Sequence, residues 1–250
     1  MPTDAVPSDP LRSLRGATVA LLGSSGAVGS ALLKRLLEIG ARPAIAVHKA
    51  WQVSAMRSAL EGAPGIVAHV GARDGEAAAG FAKGANDTLG PIRAFVSTAG
   101  AFRSAPIGRT VQDDDEELME ANFFAVHNLV RAVAGPMIRR KAGRIVVIGS
   151  AGVGSGGANV GLYLASKAAL HEYARALSVE LAAQGVGVAL VTPGTIDTPA
   201  NRAAMPDADR STWTAIDVVV DWLLSAAAGT AIPAPGETLI RLPGTAASHT

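Results

Sequence analysis

The sequence predicts an α/β protein: one domain built on a doubly wound parallel sheet of about seven strands, with helices on both faces. Three observations carry this expectation. From Ala17 onward short apolar runs alternate with helix-length amphipathic ones. Most of the runs are apolar at consecutive positions, as in strands covered on both faces. The first run opens directly into a glycine-rich turn and then a helix, the arrangement that starts a nucleotide-binding sheet.

Taken in order, the strand candidates are TVALL (18–22), AIAV (44–47), IVAHV (66–70), IRAFV (92–96), RIVVI (144–148), VGVALV (186–191) and TLIRL (238–242). Between them, GSALLKRLLEIG, ELMEANFFAVHNLVRAVAGPMIRR and SKAALHEYARALSVELAAQ have helical length and period. Alternation of this kind puts ligands beyond the C-terminal ends of the strands. The opening MPTDAVPSDPLRSLRG, with its prolines and no continuous apolar run, reads as neither signal peptide nor membrane anchor. The expected organisation is a flexible arm over 1–15, one domain over 16–242 and a flexible tail over 243–250.

With 250 residues, 49% of them hydrophobic, the chain can bury one large core. Its 22 basic and 21 acidic residues nearly cancel, so no broad basic field exists for a nucleic acid or an anionic membrane. A small molecule is the natural partner. The absence of cysteine excludes disulfides and thiolate chemistry and is compatible with the cytoplasm. The five histidines lack metal-ligand spacing, so no metal is expected.

Gly23, Ser25, Gly26, Ala27, Val28 and Gly29 span the turn after the first strand. Glycines there let the backbone approach a pyrophosphate, and the following helix offers its N–H groups to the phosphates. A Rossmann-type dinucleotide site is therefore expected. After the second strand no Asp or Glu occurs between Glu38 and Glu61 to hold a ribose diol. His48 and Lys49 stand there instead, which favours the 2′-phosphate of NADP(H) over NAD(H), with NAD(H) the alternative.

Tyr163 is one of only two tyrosines and lies four residues before Lys167 at the start of a helical stretch, so the two share a face. Ser150 closes the fifth strand thirteen residues earlier. A tyrosine titrates near 10, and lowering it by two to three units asks for roughly 3–4 kcal/mol. A cation at about 5 Å supplies on the order of 3 kcal/mol at an effective dielectric of about 20. Lys167 is thus expected to lower the phenol's pKa.

The glycine loop, Asn122 in ANFFAVHN, Ser150, YLASK at 163–167 and TPGTIDTP at 192–199 together resemble the short-chain dehydrogenase/reductase family, over residues 16 to 242. The resemblance implies hydride transfer between a nicotinamide and a small carbonyl or alcohol. Tyr163 would be its acid/base, Ser150 would polarise the oxygen, Lys167 would bind ribose and Asn122 would keep a relay water. It further implies cofactor contacts at Thr98, Ala99, Gly100, Pro193, Gly194, Ile196 and Thr198, and a lid over 199–213 in which Arg202, Met205 and Trp213 shape the pocket. A homodimer or homotetramer through 112–140 and 160–184 is implied too.

The pattern also departs from the family. Ala27 stands where the middle glycine is commonest, Ser97-Thr98-Ala99-Gly100 replaces an asparagine-rich segment, and only Asp74 could stand for the usual adenine-contacting aspartate. The C-terminal part resembles dihydropteridine reductases, making a quinonoid dihydropterin the alternative substrate. Ser150 points instead to an ordinary carbonyl, whose oxygen needs a further donor. A non-catalytic dinucleotide sensor is the alternative of another class.

Overall fold

The computed structural model describes residues 11–237 and 239–242. Seven parallel strands form one sheet: β1 (Thr18–Leu22), β2 (Arg42–Val47), β3 (Ile66–His69), β4 (Ile92–Ser97), β5 (Gly143–Ile148), β6 (Val186–Thr192) and β7 (Leu239–Arg241), in the spatial order β3-β2-β1-β4-β5-β6-β7. The chain runs outward from β1 to β3 and then returns to place β4 against β1's free edge. The strand order therefore reverses between β1 and β4, and a crevice opens at their C-terminal ends. Among the described residues each predicted run forms a strand, its ends agreeing to within two residues.

The consecutive apolar positions are explained by helices on both faces. All five residues of β1 are buried. On one face α1 (Ala27–Ile39) and α8 (Ile216–Ala228) pack Leu32, Leu36, Val219 and Leu223 against Leu21, Ile45 and Val146. On the other, α3 (Gly75–Leu89), α5 (Ala125–Arg140) and α6 (Gly161–Ala182) pack Phe81, Leu129, Val133 and Leu170 against Phe95, Ile145 and Leu190. Edge strand β3 is only partly buried. The short α2 (Gln52–Ala59) follows β2.

Two expectations need correction. Residues 11–15 are not a loose arm. Leu14 is fully buried, Ser13 donates its hydroxyl to the Ala228 carbonyl at 3.1 Å, and a 3-10 turn spans Arg12–Leu14. Burying the leucine offsets the entropy of ordering this turn. The remainder of the expected arm, 1–10, and the tail lie outside the described residues.

The helix expected over 117–140 is divided into α4 (Gln112–Met119) and α5 by a π-turn over Glu120–Phe124. The extra residue in that turn holds Asn122 inward, fully buried. The segment 199–213 contains α7 (Pro199–Ala204) and a 3-10 turn at Arg210–Thr212.

Candidate active site

The crevice is a cleft of about 570 Å³. Its floor is the turn after β1 (Gly23, Ser24, Ser25, Gly26) and the end of β4 (Thr98, Ala99, Gly100); His48 and Lys49 wall one side. Glycine is required here by geometry. Gly23 has φ +92°, and a Cβ on it would lie 2.4 Å from the Ala99 nitrogen. A Cβ on Gly29 would lie 2.1 Å from the Gly23 carbonyl oxygen, so the first turn of α1 packs directly on the loop. Val28 is buried behind the loop and Ala27 begins α1. A backbone cradle at a helix N-terminus fits a dinucleotide pyrophosphate.

Gln52 is among the cleft residues that escaped the sequence reading. Gln52 donates its side-chain N–H to Ser25 Oγ at 2.7 Å and accepts from the Lys49 backbone N–H at 3.3 Å, tying the glycine loop to the turn after β2. Only tertiary pairing brings 25, 49 and 52 together. The opposite wall carries Asp113, Glu116, Glu117 and Glu120. Glu117 is paired with Arg103 at 2.9 Å and Glu120 with Arg73 at 3.2 Å, which tempers that acidic field. Asp74 does not line the cleft. It caps α3, accepting from the Ala77 N–H at 2.9 Å.

Beside the cleft, α6 presents Tyr163 and Lys167 one turn apart, beyond the end of β5. Lys167 is 4% exposed and donates to the Ile148 carbonyl at 3.3 Å. It adjoins the cleft through Gly100, where a Cβ would stand 3.0 Å from the ammonium. Burial lowers the Lys167 pKa to about 8.

The phenol does not behave as the sequence led us to expect. Burial pushes Tyr163 above its ordinary value, and the Ser150 hydroxyl, hydrogen-bonded to it, pulls only partly the other way. The phenol's position in the first turn of α6 adds a modest preference for the anion, on the order of 0.3–1 kcal/mol. Phe102 packs edge-on against Tyr163 with ring centroids 4.9 Å apart and closes its outer side.

Asn122 holds the β4–α4 connection. Its Oδ1 accepts from the Ala101 N–H at 3.0 Å, while its Nδ2 donates to the Ala101 carbonyl at 3.0 Å and to Ser166 Oγ at 2.9 Å. Both amide hydrogens are thereby used, so the side chain positions the loop beside Gly100.

The other predicted residues lie outside the cleft lining. Pro193 accepts from Ala151 N–H at 3.0 Å, joining the segment after β6 to the one after β5, with Gly194 next to it. Ile196 bridges Thr214. Thr198 caps α7 through Asn201 at 3.1 Å. Arg202 forms a two-pronged ion pair with Asp197, the second contact at 2.7 Å, so its charge is already matched. Met205 is 37% exposed. Trp213 is half-buried, with the Arg210 guanidinium 5.7 Å from its ring.

A family model described as short chain dehydrogenase matches residues 17–209. The chain is 29% identical over 196 residues to the 3-oxoacyl-[acyl-carrier-protein] reductase of Vibrio harveyi, covering 78% of this chain and 80% of that protein. It is 30% identical over 186 residues to a reductase of the same name from Mycobacterium avium, covering 74% and 69%. Among solved structures, an oxidoreductase of the short chain dehydrogenase/reductase family from Burkholderia thailandensis matches with TM-score 0.76 and 27% identity, over 91% of each chain. A dehydrogenase/reductase from Sinorhizobium meliloti matches with TM-score 0.74 and 25% identity, over 94% of this chain and 97% of that one. The cradle after β1, the reversal of strand order beside it and the tyrosine–lysine face of α6 agree with these matches: the chain belongs to the short chain dehydrogenase family and is an NAD(P)-dependent oxidoreductase.

Proposed function

We propose that the protein reduces a small carbonyl compound to its alcohol, and runs the reverse, with NADP(H) as the preferred cofactor. The observation that carries this reading is the placement of Tyr163 and Lys167 one turn apart on α6, with the Lys167 ammonium against Gly100 of the glycine-lined cleft. When bound, the dinucleotide supplies or accepts the hydride. Ser150 holds the substrate oxygen, and Tyr163 gives it a proton in reduction and takes one in oxidation. Raised by burial, the phenol stays protonated at neutral pH, which suits it to the acid role. Lys167 holds ribose and keeps positive charge beneath the phenol. Asn122 fixes the loop over this site and, by family resemblance, a relay water. Gly23, Ser25, Gly26, Thr98, Ala99 and Gly100 would line the dinucleotide, with Pro193, Gly194, Ile196 and Thr198 at its nicotinamide end.

The relatives' 3-oxoacyl substrates make a 3-oxo ester the first probe. A panel of ethyl acetoacetate, simple ketones and aldehydes, and quinonoid dihydropterin, each with NADPH, is expected to give turnover on a carbonyl compound. Turnover on the pterin alone would overturn the substrate class. Saturable NADPH binding with no turnover on any of them would favour a sensor.

Lys49 at the cleft wall, with no carboxylate at the end of β2, supports the NADPH preference. Replacing Lys49 by Glu is expected to raise the Kd for NADPH by roughly tenfold or more, about 1.4 kcal/mol, while NADH binds at least as well as before. Fluorescence titration of both cofactors decides it, and unchanged NADPH affinity would remove Lys49 from the argument.

The partly exposed cluster of Phe123, His127 and Tyr173, with Val179 61% exposed on α6, supports self-association through α4–α5 and α6 into a homodimer or homotetramer. No described helix is long and apolar enough to cross a membrane. We infer a cytoplasmic protein from the lack of cysteine.

A further inference from the structure

The face of α6 that carries Tyr163 and Lys167 continues one more turn to His171, and this third residue reaches the same strand end. β5 outruns its neighbour β4. Their ladder ends where Ser97 pairs with Val147, and the next residue of β4's chain, Thr98, donates instead to Leu22 of β1 at 2.8 Å. On its other side the segment after β5 stays anchored, with Gly149 N–H donating to Val191 at 2.8 Å and Ala151 N–H to Pro193 at 3.0 Å. Ser150 N–H, between them, points away from those carbonyls.

A buried backbone donor without a partner is costly, so something other than a strand must meet it. It donates to His171 Nε2 at 3.1 Å. One turn earlier, Lys167 meets the Ile148 carbonyl. Residues 163, 167 and 171 therefore act as one helical stripe on the end of β5. Gly149 is shaped to admit the ring, since a Cβ there would lie 2.3 Å from Nε2.

We propose that His171 is a positioning residue for Ser150: its neutral Nε2 accepts the serine's backbone N–H and so fixes where the serine hydroxyl stands relative to Tyr163. The inference rests on the acid/base reading of Ser150 and Tyr163. Only the Nδ1–H tautomer can accept at Nε2, and an imidazolium would turn a donor toward a donor. Burial and the nearby Lys167 charge hold the His171 pKa down at about 4, so the ring remains an acceptor across the working range. Because the contact is to backbone, it sets the direction in which Ser150's side chain leaves the chain. Misplacing a reacting group by about 1 Å can cost on the order of a hundredfold in rate.

Two measurements test the proposal. In uniformly ¹⁵N-labelled full-length protein, a through-hydrogen-bond N–N coupling is expected between the Ser150 amide and His171 Nε2. Its absence, with the ring signal of a protonated Nε2, overturns the contact. In reduction of ethyl acetoacetate by NADPH, His171→Leu is expected to lower kcat about ten- to a hundredfold with the NADPH Kd nearly unchanged. His171→Gln, whose amide oxygen reaches as far as Nε2, is expected to recover most of that loss, whereas His171→Asn, whose oxygen stops short, is not. If the leucine variant does not fold, the glutamine–asparagine pair carries the same contrast. Wild-type kcat in the leucine or asparagine variant, or equal losses in the glutamine and asparagine variants, overturns the positioning role. Tyr163→Phe in the same assay separates the two ideas: full activity there removes the acid/base reading and this inference with it. Its loss beside an unimpaired His171→Leu removes this inference alone.

Discussion

Replacing Tyr163 by phenylalanine is expected to lower kcat for carbonyl reduction by roughly 100- to 10,000-fold, the range assigned to a positioned general acid. NADPH affinity and melting temperature should change little. Phenylalanine keeps the ring that packs edge-on against Phe102 and fills the same buried volume; only the hydroxyl shared with Ser150 is lost. Stopped-flow or steady-state loss of NADPH absorbance, paired with a binding titration, separates chemistry from binding. Turnover within about twofold of wild type would mean that the proton comes from elsewhere and would end the mechanism proposed for this site.

Lys167→Met is expected to have opposite effects on stability and on activity. The wild-type ammonium is buried, and its pKa stands at about 8 against an ordinary 10.5, so holding it charged costs the folded state about 3 kcal/mol at pH 7. Methionine removes that cost and loses one charge-assisted hydrogen bond to Ile148, worth about 2 kcal/mol. The net gain of about 1 kcal/mol corresponds to a rise in Tm of roughly 2–4 °C for a chain of this size.

The sign follows from linkage. Below about pH 8 the lysine is charged in both folded and unfolded states and the full cost is present. Between about 8 and 10.5 the folded state releases its proton first, so wild-type stability rises with pH and the variant's advantage shrinks. Activity should move the other way. In wild type, kcat/KM for NADPH, which reports the free enzyme, is expected to decline as pH rises through about 8. In Lys167→Met it should be low throughout and lack that inflection. A variant neither stabilised at pH 7 nor altered in its pH profile would show that the ammonium is not held in the buried, charged state inferred for it.

The lysine also shows what sequence spacing can and cannot say. Four-residue spacing put the phenol and ammonium on one helical face, and the structure has them there. The same spacing led to an expected lowering of the tyrosine pKa, whereas burial shifts it upward. Spacing fixes which residues share a face, but the balance between burial and charge depends on what covers them. Here burial outweighs the Ser150 hydroxyl and raises the phenol. Asn122 was expected at the site from its motif alone, whereas its engagement with both backbone groups of Ala101 depends on the π-turn. Gln52 and His171 gave no signal in the sequence. Each acts on a partner far along the chain, Ser25 and Ser150, and the meeting exists only after α2 and α6 have packed. Arg202 looked available for a substrate until its pairing with Asp197 was seen.

What the sequence determined by itself is whatever follows from local period and local chemistry. Consecutive apolar runs mark strands covered on both faces, the glycine turn opens the first helix, and Tyr163 and Lys167 lie one turn apart. The tertiary structure decided the rest: the docking of Leu14, the meeting of Lys49, Gln52 and Ser25, the direction of the Tyr163 pKa shift and the seating of Ser150 on His171. These depend on how far β5 extends past β4 and on how much water each side chain loses, quantities set by long-range packing and carried by no short stretch of the chain.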